Sequence, residues 1–239
     1  MLTGHVISDL HIFASWSWAE RYIDRMRAAA DKADFFVLNG DIFEFRWSTL
    51  GRAEVTAHAA VDWLERFAGD HPRCTLHYVL GNHDGLVLLA ERLELLAERL
   101  DNFRWYPAYV RMGHALFAHG DLFYRSRANP FERPLPATIR RHGPPLSWAY
   151  HGIHAVRGTR LAHLGSRPGR CARRIVRSLA AAPRELIEGV TDIYCGHTHV
   201  AVSDFAWDGL TFHNTGSGIR HLECNMCTLS VGVGPGDET

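Results

Sequence analysis

Short apolar runs that end in polar clusters recur along this chain. Leu2–Ser8, Asp34–Leu38, Thr75–Leu80, Ala115–Ala118 and Asp192–Cys195 read as short buried strands. Between the early strands the apolar spacing stretches to that of a helix. Trp18–Lys32 has helical spacing, and Val55, Ala59, Trp63 and Phe67 recur every four residues. Leu86, Leu89, Leu93, Leu96 and Leu100 form a further stripe, with Glu91, Arg92, Glu94 and Glu98 on other faces. Asp84 is the predicted N-cap of that last helix. Strands alternating with helices predict βαβ units and a largely parallel sheet. After about Asp121 the rhythm breaks: Asn129–Pro145 holds five prolines, which disfavour a regular element. A helix is predicted at Cys171–Ala182. Val200–Trp207 and Leu210–His213 read as antiparallel strands about an Asp208-Gly209 turn, and Glu223–Val231 as a late strand.

With 239 residues, one α/β domain spanning residues 1–239 is expected, with roughly Leu122–Val190 inserted as a cap over the sheet edge. No apolar run reaches the roughly 18 residues of a membrane span. Leu2–Ser8 reads as a strand and not as a signal peptide, so the cytoplasm is the expected location. Five cysteines are an odd number for a disulfide framework. Cys224 and Cys227 form a lone CxxC inside a predicted strand, and they read as buried or half-buried thiols.

The zero net charge hides an asymmetry. Leu122–Val190 carries 13 Arg against 3 Glu, a surplus of ten positive charges that the rest of the chain balances. Such a split suggests a basic lobe beside an acidic one. The chain also has 16 histidines, several of them at strand ends.

Five polar clusters follow the predicted strands: Asp9-Leu10-His11, Gly40-Asp41-Ile42-Phe43-Glu44, Gly81-Asn82-His83-Asp84, His119-Gly120-Asp121 and Gly196-His197-Thr198-His199. Along an extended chain residues i and i+2 point to one side, which would let Asp9 and His11 converge. In an open α/β sheet the carboxyl ends of the strands form the ligand crevice, so the five loops are expected to meet. Carboxylate, imidazole and amide oxygen without thiolate suit Mn, Fe, Zn, Co or Ni. Two such ions about 3.5–4 Å apart can hold a bridging hydroxide and clamp both oxygens of a displacement at phosphorus. One carboxylate can bind both ions, and Asp41 is the natural bridge.

Taken in order, Asp9-x-His11, Gly40-Asp41-x-x-Glu44, Gly81-Asn82-His83-Asp84, His119 and Gly196-His197-x-His199 resemble the calcineurin-like metallophosphoesterase superfamily. Asn214-Thr215-Gly216-Ser217 resembles a turn that many members carry near the C-terminus. The resemblance implies a four-layer α/β/β/α metallophosphoesterase sandwich, here with an Arg-rich, partly helical cap insertion. It also implies two divalent metal ions. Asp9, His11, Asp41 and His199 would bind one, and Asp41, Asn82, His119 and His197 the other. A metal-bridging hydroxide would attack a phosphodiester, phosphomonoester or pyrophosphate. His83 would contact the phosphate and protonate the leaving oxygen, with Glu44 orienting it and raising its pKa. Asp84 and Asp121 fit a role in holding the ligand loops.

The long basic insertion and Gly-Asp-x-Phe-Glu are similar to the UDP-2,3-diacylglucosamine pyrophosphatase branch, although that branch commonly carries Arg where this chain has His83. The similarity implies a phosphorylated, lipid-linked substrate and leaves peripheral contact with a membrane surface open. Arg forks would pair with the diphosphate, while Trp148, Tyr150, Ile153 and Val156 would supply apolar contact. The alternative partner is nucleic acid, with the basic insert serving a nuclease or cyclic-nucleotide phosphodiesterase.

Overall fold

Two five-stranded sheets lie face to face. In the computed structural model, which describes residues 1–124, 131–139 and 167–232, the first sheet runs β10-β1-β2-β3-β4. Its strands β1 (Leu2–Ile7), β2 (Phe35–Asn39), β3 (Thr75–Val79) and β4 (Phe103–Tyr106) are parallel, and β10 (Cys227–Val231) is antiparallel to β1. The second sheet runs β5 (Tyr109–Met112), β6 (Ala115–Ala118), β7 (Asp192–Cys195), β9 (Leu210–Asn214), β8 (Val202–Trp207). Here β6, β7 and β9 are parallel, while β5 and β8 pair antiparallel at the two edges.

Successive side chains of a strand point to opposite faces, and this alternation builds the layers. Val6, Phe35, Val37, Val79, Ala115, Phe117 and Tyr194 are buried between the sheets. Their neighbours Ile7, Phe36, Leu38, Leu76 and Tyr78 face the other way, under the apolar stripes of α1 (Glu20–Ala30), α2 (Ala53–Asp70) and α3 (Val87–Arg99). Leu116, Ala118, Ile193 and Phe212 turn outward to α4 (Pro168–Leu179) and α5 (Arg184–Ile187). Full burial of each large apolar side chain stabilises the fold by about 1.5–3 kcal/mol. The result is an α/β/β/α sandwich.

The helix predicted at Cys171–Ala182 begins earlier, at Pro168, whose fixed φ and missing N–H suit the first turn. Through Ala172, Ile175, Leu179 and Leu186, α4 and α5 form the outer layer of the second sheet. Residues 125–130 and 140–166 of the predicted insertion, including Trp148, Tyr150, Ile153 and Val156, lie outside the described residues. Two strands have no counterpart in the sequence reading. β4 and β5 have four residues each, and Arg104 and Arg111 interrupt their apolar character. Asp84 does not cap α3. Leu86 occupies that position without a side-chain cap, because the Asp84 carboxylate turns inward, as described below. Cys224 is buried and Cys227 half-buried, both as free thiols. Among the described residues no helix is long and apolar enough to cross a membrane.

Candidate metal centre

Strands of both sheets deliver polar loops to one rim. β1 leads into Asp9 and His11, β2 into Asp41, β3 into Asn82 and His83, β6 into His119, and β7 into His197 and His199. Donor atoms of Asp9, His11 and His199 lie within 4.8 Å of one another. The same holds for Asp41, His119 and His197, and for His11, Asp41 and His83. Asn82 directly precedes His83, whose backbone N–H donates to Asp41 Oδ1 at 2.7 Å.

The convergence does not come from extended backbone, as the i, i+2 argument assumed. Asp9, His11, Asp41, His197 and His199 all take left-handed φ, from 49° to 68°. Asp and His tolerate this region better than most residues, yet such clustering is characteristic of strained functional loops. Two glycines let the backbone press against the carboxylates. A Cβ at Gly81 would lie 2.2 Å from Asp41 Oδ1, and one at Gly196 would lie 2.2 Å from Asp9 Oδ2.

Hydrogen bonds fix which nitrogen of each ring faces the centre. His119 Nδ1–H donates to the Asn39 carbonyl at 3.1 Å, so Nε2 points inward. That Nε2 lies 3.0 Å from Asp41 Oδ2 and 3.9 Å from Asp9 Oδ1, but it is not aligned for a hydrogen bond. His11 Nδ1 donates to Glu44 Oε2 at 3.1 Å, leaving Nε2 facing His199 Nε2 at 3.4 Å. His199 Nε2 is also 3.2 Å from Asp9 Oδ1. Imidazole nitrogens and carboxylate oxygens thus point at one another. Asn82 Oδ1 and His119 Nε2 are among the buried side-chain atoms of the described residues that have no hydrogen-bond partner. Buried polar atoms are rarely left so. This donor set fits divalent cations.

The electrostatics agree. Burial pushes the Asp41 carboxyl up, but His119 and His83 outweigh it and hold it well below the usual range. Burial lowers His119, yet Asp41 and Asp9 raise it to about 10. Glu44 is likewise resisted by burial and brought down to about 2, chiefly by His83 and His11. The centre concentrates carboxylates that favour positive charge, whether from protons or from cations.

A family model described as calcineurin-like phosphoesterase matches residues 5–201. The chain belongs to that family. This calcineurin-like phosphoesterase is therefore a metal-dependent phosphate-ester hydrolase, of a family that depends on two divalent cations. A dimetal phosphatase from Danio rerio is similar in structure at 14% sequence identity, covering 96% of this chain and 92% of that one with a TM-score of 0.49. Curated proteins yield no match to the chain.

Around the cluster, the phosphoesterase's second carboxylates are committed to loops. Asp84 Oδ2 accepts the Ile42 N–H and the Tyr78 hydroxyl, each at 2.8 Å, and Oδ1 accepts the Gly81 N–H at 2.6 Å. Asp121 pairs with Arg133. Glu44 takes both His83, at 2.7 Å from Nδ1, and His11, and it also accepts the backbone N–H groups of Arg46 and Trp47. His83 therefore stands among the candidate ligands in distance, but its Nδ1 is taken by Glu44.

Sequence reading missed several contributors. Ser8 Oγ donates to Asp9 Oδ2 at 2.5 Å, Asn39 anchors His119, and Arg46 Nη2 donates to the Asn82 carbonyl at 3.2 Å. Ser8 and Asn39 stand at strand ends beside predicted ligands, a signal that was available. The Asn214–Ser217 turn closes the rim: Asn214 Nδ2 donates to the Gly196 carbonyl at 3.0 Å and Ser217 Oγ to that of Asp9 at 2.8 Å.

Proposed function

We propose that this phosphoesterase cleaves the pyrophosphate of a nucleotide-linked lipid of the UDP-2,3-diacylglucosamine type, acting in the cytoplasm with His83 as proton donor. In this reading Asp9, His11, Asp41 and His199 hold one cation, and Asp41, Asn82, His119 and His197 hold the other. Two bound cations would activate water and neutralise charge on the phosphate, and manganese suits this donor set, as do Fe, Zn, Co and Ni. His83 supplies the proton. Burial alone would strip it, but Glu44 and Asp41 outweigh burial and raise His83 to about 9. With Nδ1 held on Glu44, Nε2 is the atom that can reach a leaving oxygen. Asp84 and Asp121 keep the loops of Asn82 and His119 in place.

One observation carries the substrate class. Arg167 and the α4 residues Arg170, Arg173, Arg174 and Arg177 are all exposed, and α4 contains no acidic residue. The helix also reaches the centre, since the Arg174 guanidinium lies 4.3 Å from the Tyr124 ring centroid. That ring packs edge-on against His197, with centroids 5.1 Å apart. A basic face that leads to a proposed ligand suits a substrate with more anionic charge than one phosphate. The single-domain reading with a basic insertion at 122–190 belongs to the same proposal.

A hydrolysis panel with Mn²⁺ tests it: bis-p-nitrophenyl phosphate, a phosphomonoester, a cyclic nucleotide, a mixed oligonucleotide and UDP-2,3-diacylglucosamine. Turnover of the last in clear preference to the others is expected. Cleavage of the oligonucleotide with steep loss at raised salt, and none of the nucleotide lipid, assigns the basic face to nucleic acid instead.

A further inference from the structure

Arg133 lies in the proline-rich stretch 131–139, far in sequence from every proposed ligand except those near His119. Its side chain is only 6% exposed, and that of Asp121 only 4%. Nη1 donates to the Gly81 carbonyl at 3.1 Å and to Asp121 Oδ2 at 2.8 Å, while Nη2 donates to Asp121 Oδ1 at 2.5 Å. The backing is close: a Cβ on Gly85 would come within 3.4 Å of Arg133 Cδ. The stretch is itself tied down, since the Val87 N–H at the start of α3 donates to the Pro136 carbonyl at 3.1 Å.

The two groups that Arg133 grips belong to different sheets. Gly81 directly precedes Asn82 after β3, and Asp121 follows His119 by two residues after β6. Asn82 and His119 are the ligands proposed for the same cation. The other cation's ligands are held by different means: Ser217 Oγ and the Gly218 N–H donate to the Asp9 carbonyl, and Glu44 takes His11. A buried ion pair is a weak stabiliser because desolvation offsets most of its attraction. Its value lies in geometry, since a rigid planar fork grips both carboxylate oxygens and a carbonyl in fixed directions, which the rotatable donors of an ammonium do not.

We propose that Arg133 is a positioning residue for the Asn82–His119 cation site, locking its two loops across the sandwich and tying that one site to the proline-rich stretch. The inference rests on the ligand assignment above. Its consequence is asymmetric: losing Arg133 should weaken one cation site and spare the other.

Metal content and Mn²⁺ titration of the full chain test this in the wild type, Arg133→Met, Arg133→Lys, Asn82→Ala and the Arg133→Met/Asn82→Ala double variant. The wild type is expected to hold two equivalents. Arg133→Met should keep one at unchanged affinity and bind the second about 10–100-fold more weakly, the usual range for groups that orient a ligand. Arg133→Lys should recover only part of that loss. The double variant should resemble Asn82→Ala, because both changes act on one site. Two equivalents at wild-type affinity in Arg133→Met, or equal weakening of both, overturns the proposal. Should Arg133→Met fail to fold, Asp121→Asn breaks the same bridge with little change of shape and must give the same split. A wild type that cannot bind two equivalents removes the ligand assignment itself, a distinguishable failure.

Discussion

Buried histidines behave oppositely at the carboxyl rim and in the cleft at the β4–β5 edge of the sandwich. The cleft, of about 1120 Å³, is lined by Phe35, His77, Arg104, Tyr106 and Tyr109 among others. There the His77 ring meets the Tyr106 hydroxyl at 3.0 Å and packs edge-on against Phe35. Burial lowers its pKa to about 4, and Arg104 adds to the effect. At the rim His119 is fully buried and His83 half-buried, yet they are raised to about 10 and about 9. Nearby carboxylates make the difference: Asp41 and Asp9 for His119, Glu44 and Asp41 for His83. His197 completes the contrast. It sits on the same rim but beside charged His119, and burial with that neighbour lowers it to about 4. Burial alone discharges an imidazole, and the arrangement of carboxylates decides whether a buried histidine can hold or donate a proton.

Removing the carboxylate that both proposed cation sites share breaks the contrast most severely. Asp41→Asn is expected to lose nearly all hydrolysis and to bind less metal. Turnover near the wild-type rate with two ions retained would show that Asp41 does not join the sites. Next in size is His83→Ala. The cations should remain, while esters with poor leaving groups slow by about 10²–10⁴-fold and activated nitrophenyl esters slow far less. A small, equal effect on both classes removes His83 from the acid role.

The smallest expected effect belongs to the cleft. Because the folded pKa of His77 lies below its unfolded value, the unfolded state binds the extra proton between about pH 6.5 and pH 4. Its contribution to stability is therefore complete above pH 6.5 and is lost as pH falls towards 4. Between pH 7 and pH 5 the metal-free protein should lose about 1–2 kcal/mol through this group. Denaturant unfolding of the wild type and His77→Gln at both pH values should show a shallower decline in the variant. Equal declines would mean that His77 titrates normally and that the cleft is wet.

Much of this was legible because the informative signals are local. A short, largely apolar run followed by Gly-Asp, Gly-Asn-His-Asp or Gly-His-Thr-His marks a strand end and its donors without reference to the rest of the chain. β4 and β5 were not legible: four-residue edge strands carrying Arg104 and Arg111 have too few alternating positions to stand out from a loop. Asp84 was misread for a different reason. Its position before an apolar stripe is that of a cap, but Tyr78 and the Ile42 N–H, distant or in another loop, offer it better donors inside. Asp9 and His11 do come close to each other, but left-handed φ at both residues, not the extension the sequence suggested, brings them together with His199.

By itself the amino-acid order determined the layered α/β architecture, the candidate cation-holding side chains, and the strand ends at which they stand. Each of these depends on periodicity and on neighbours a few positions away. Tertiary structure alone decided which histidines are raised and which lowered by their neighbours, that Glu44 serves both His83 and His11, and that Arg133 joins the Gly81 and Asp121 loops. These outcomes depend on separations of a few ångströms between residues 33 to 52 positions apart as well as on near ones, under burial that strengthens every charge interaction. No local pattern encodes such distances.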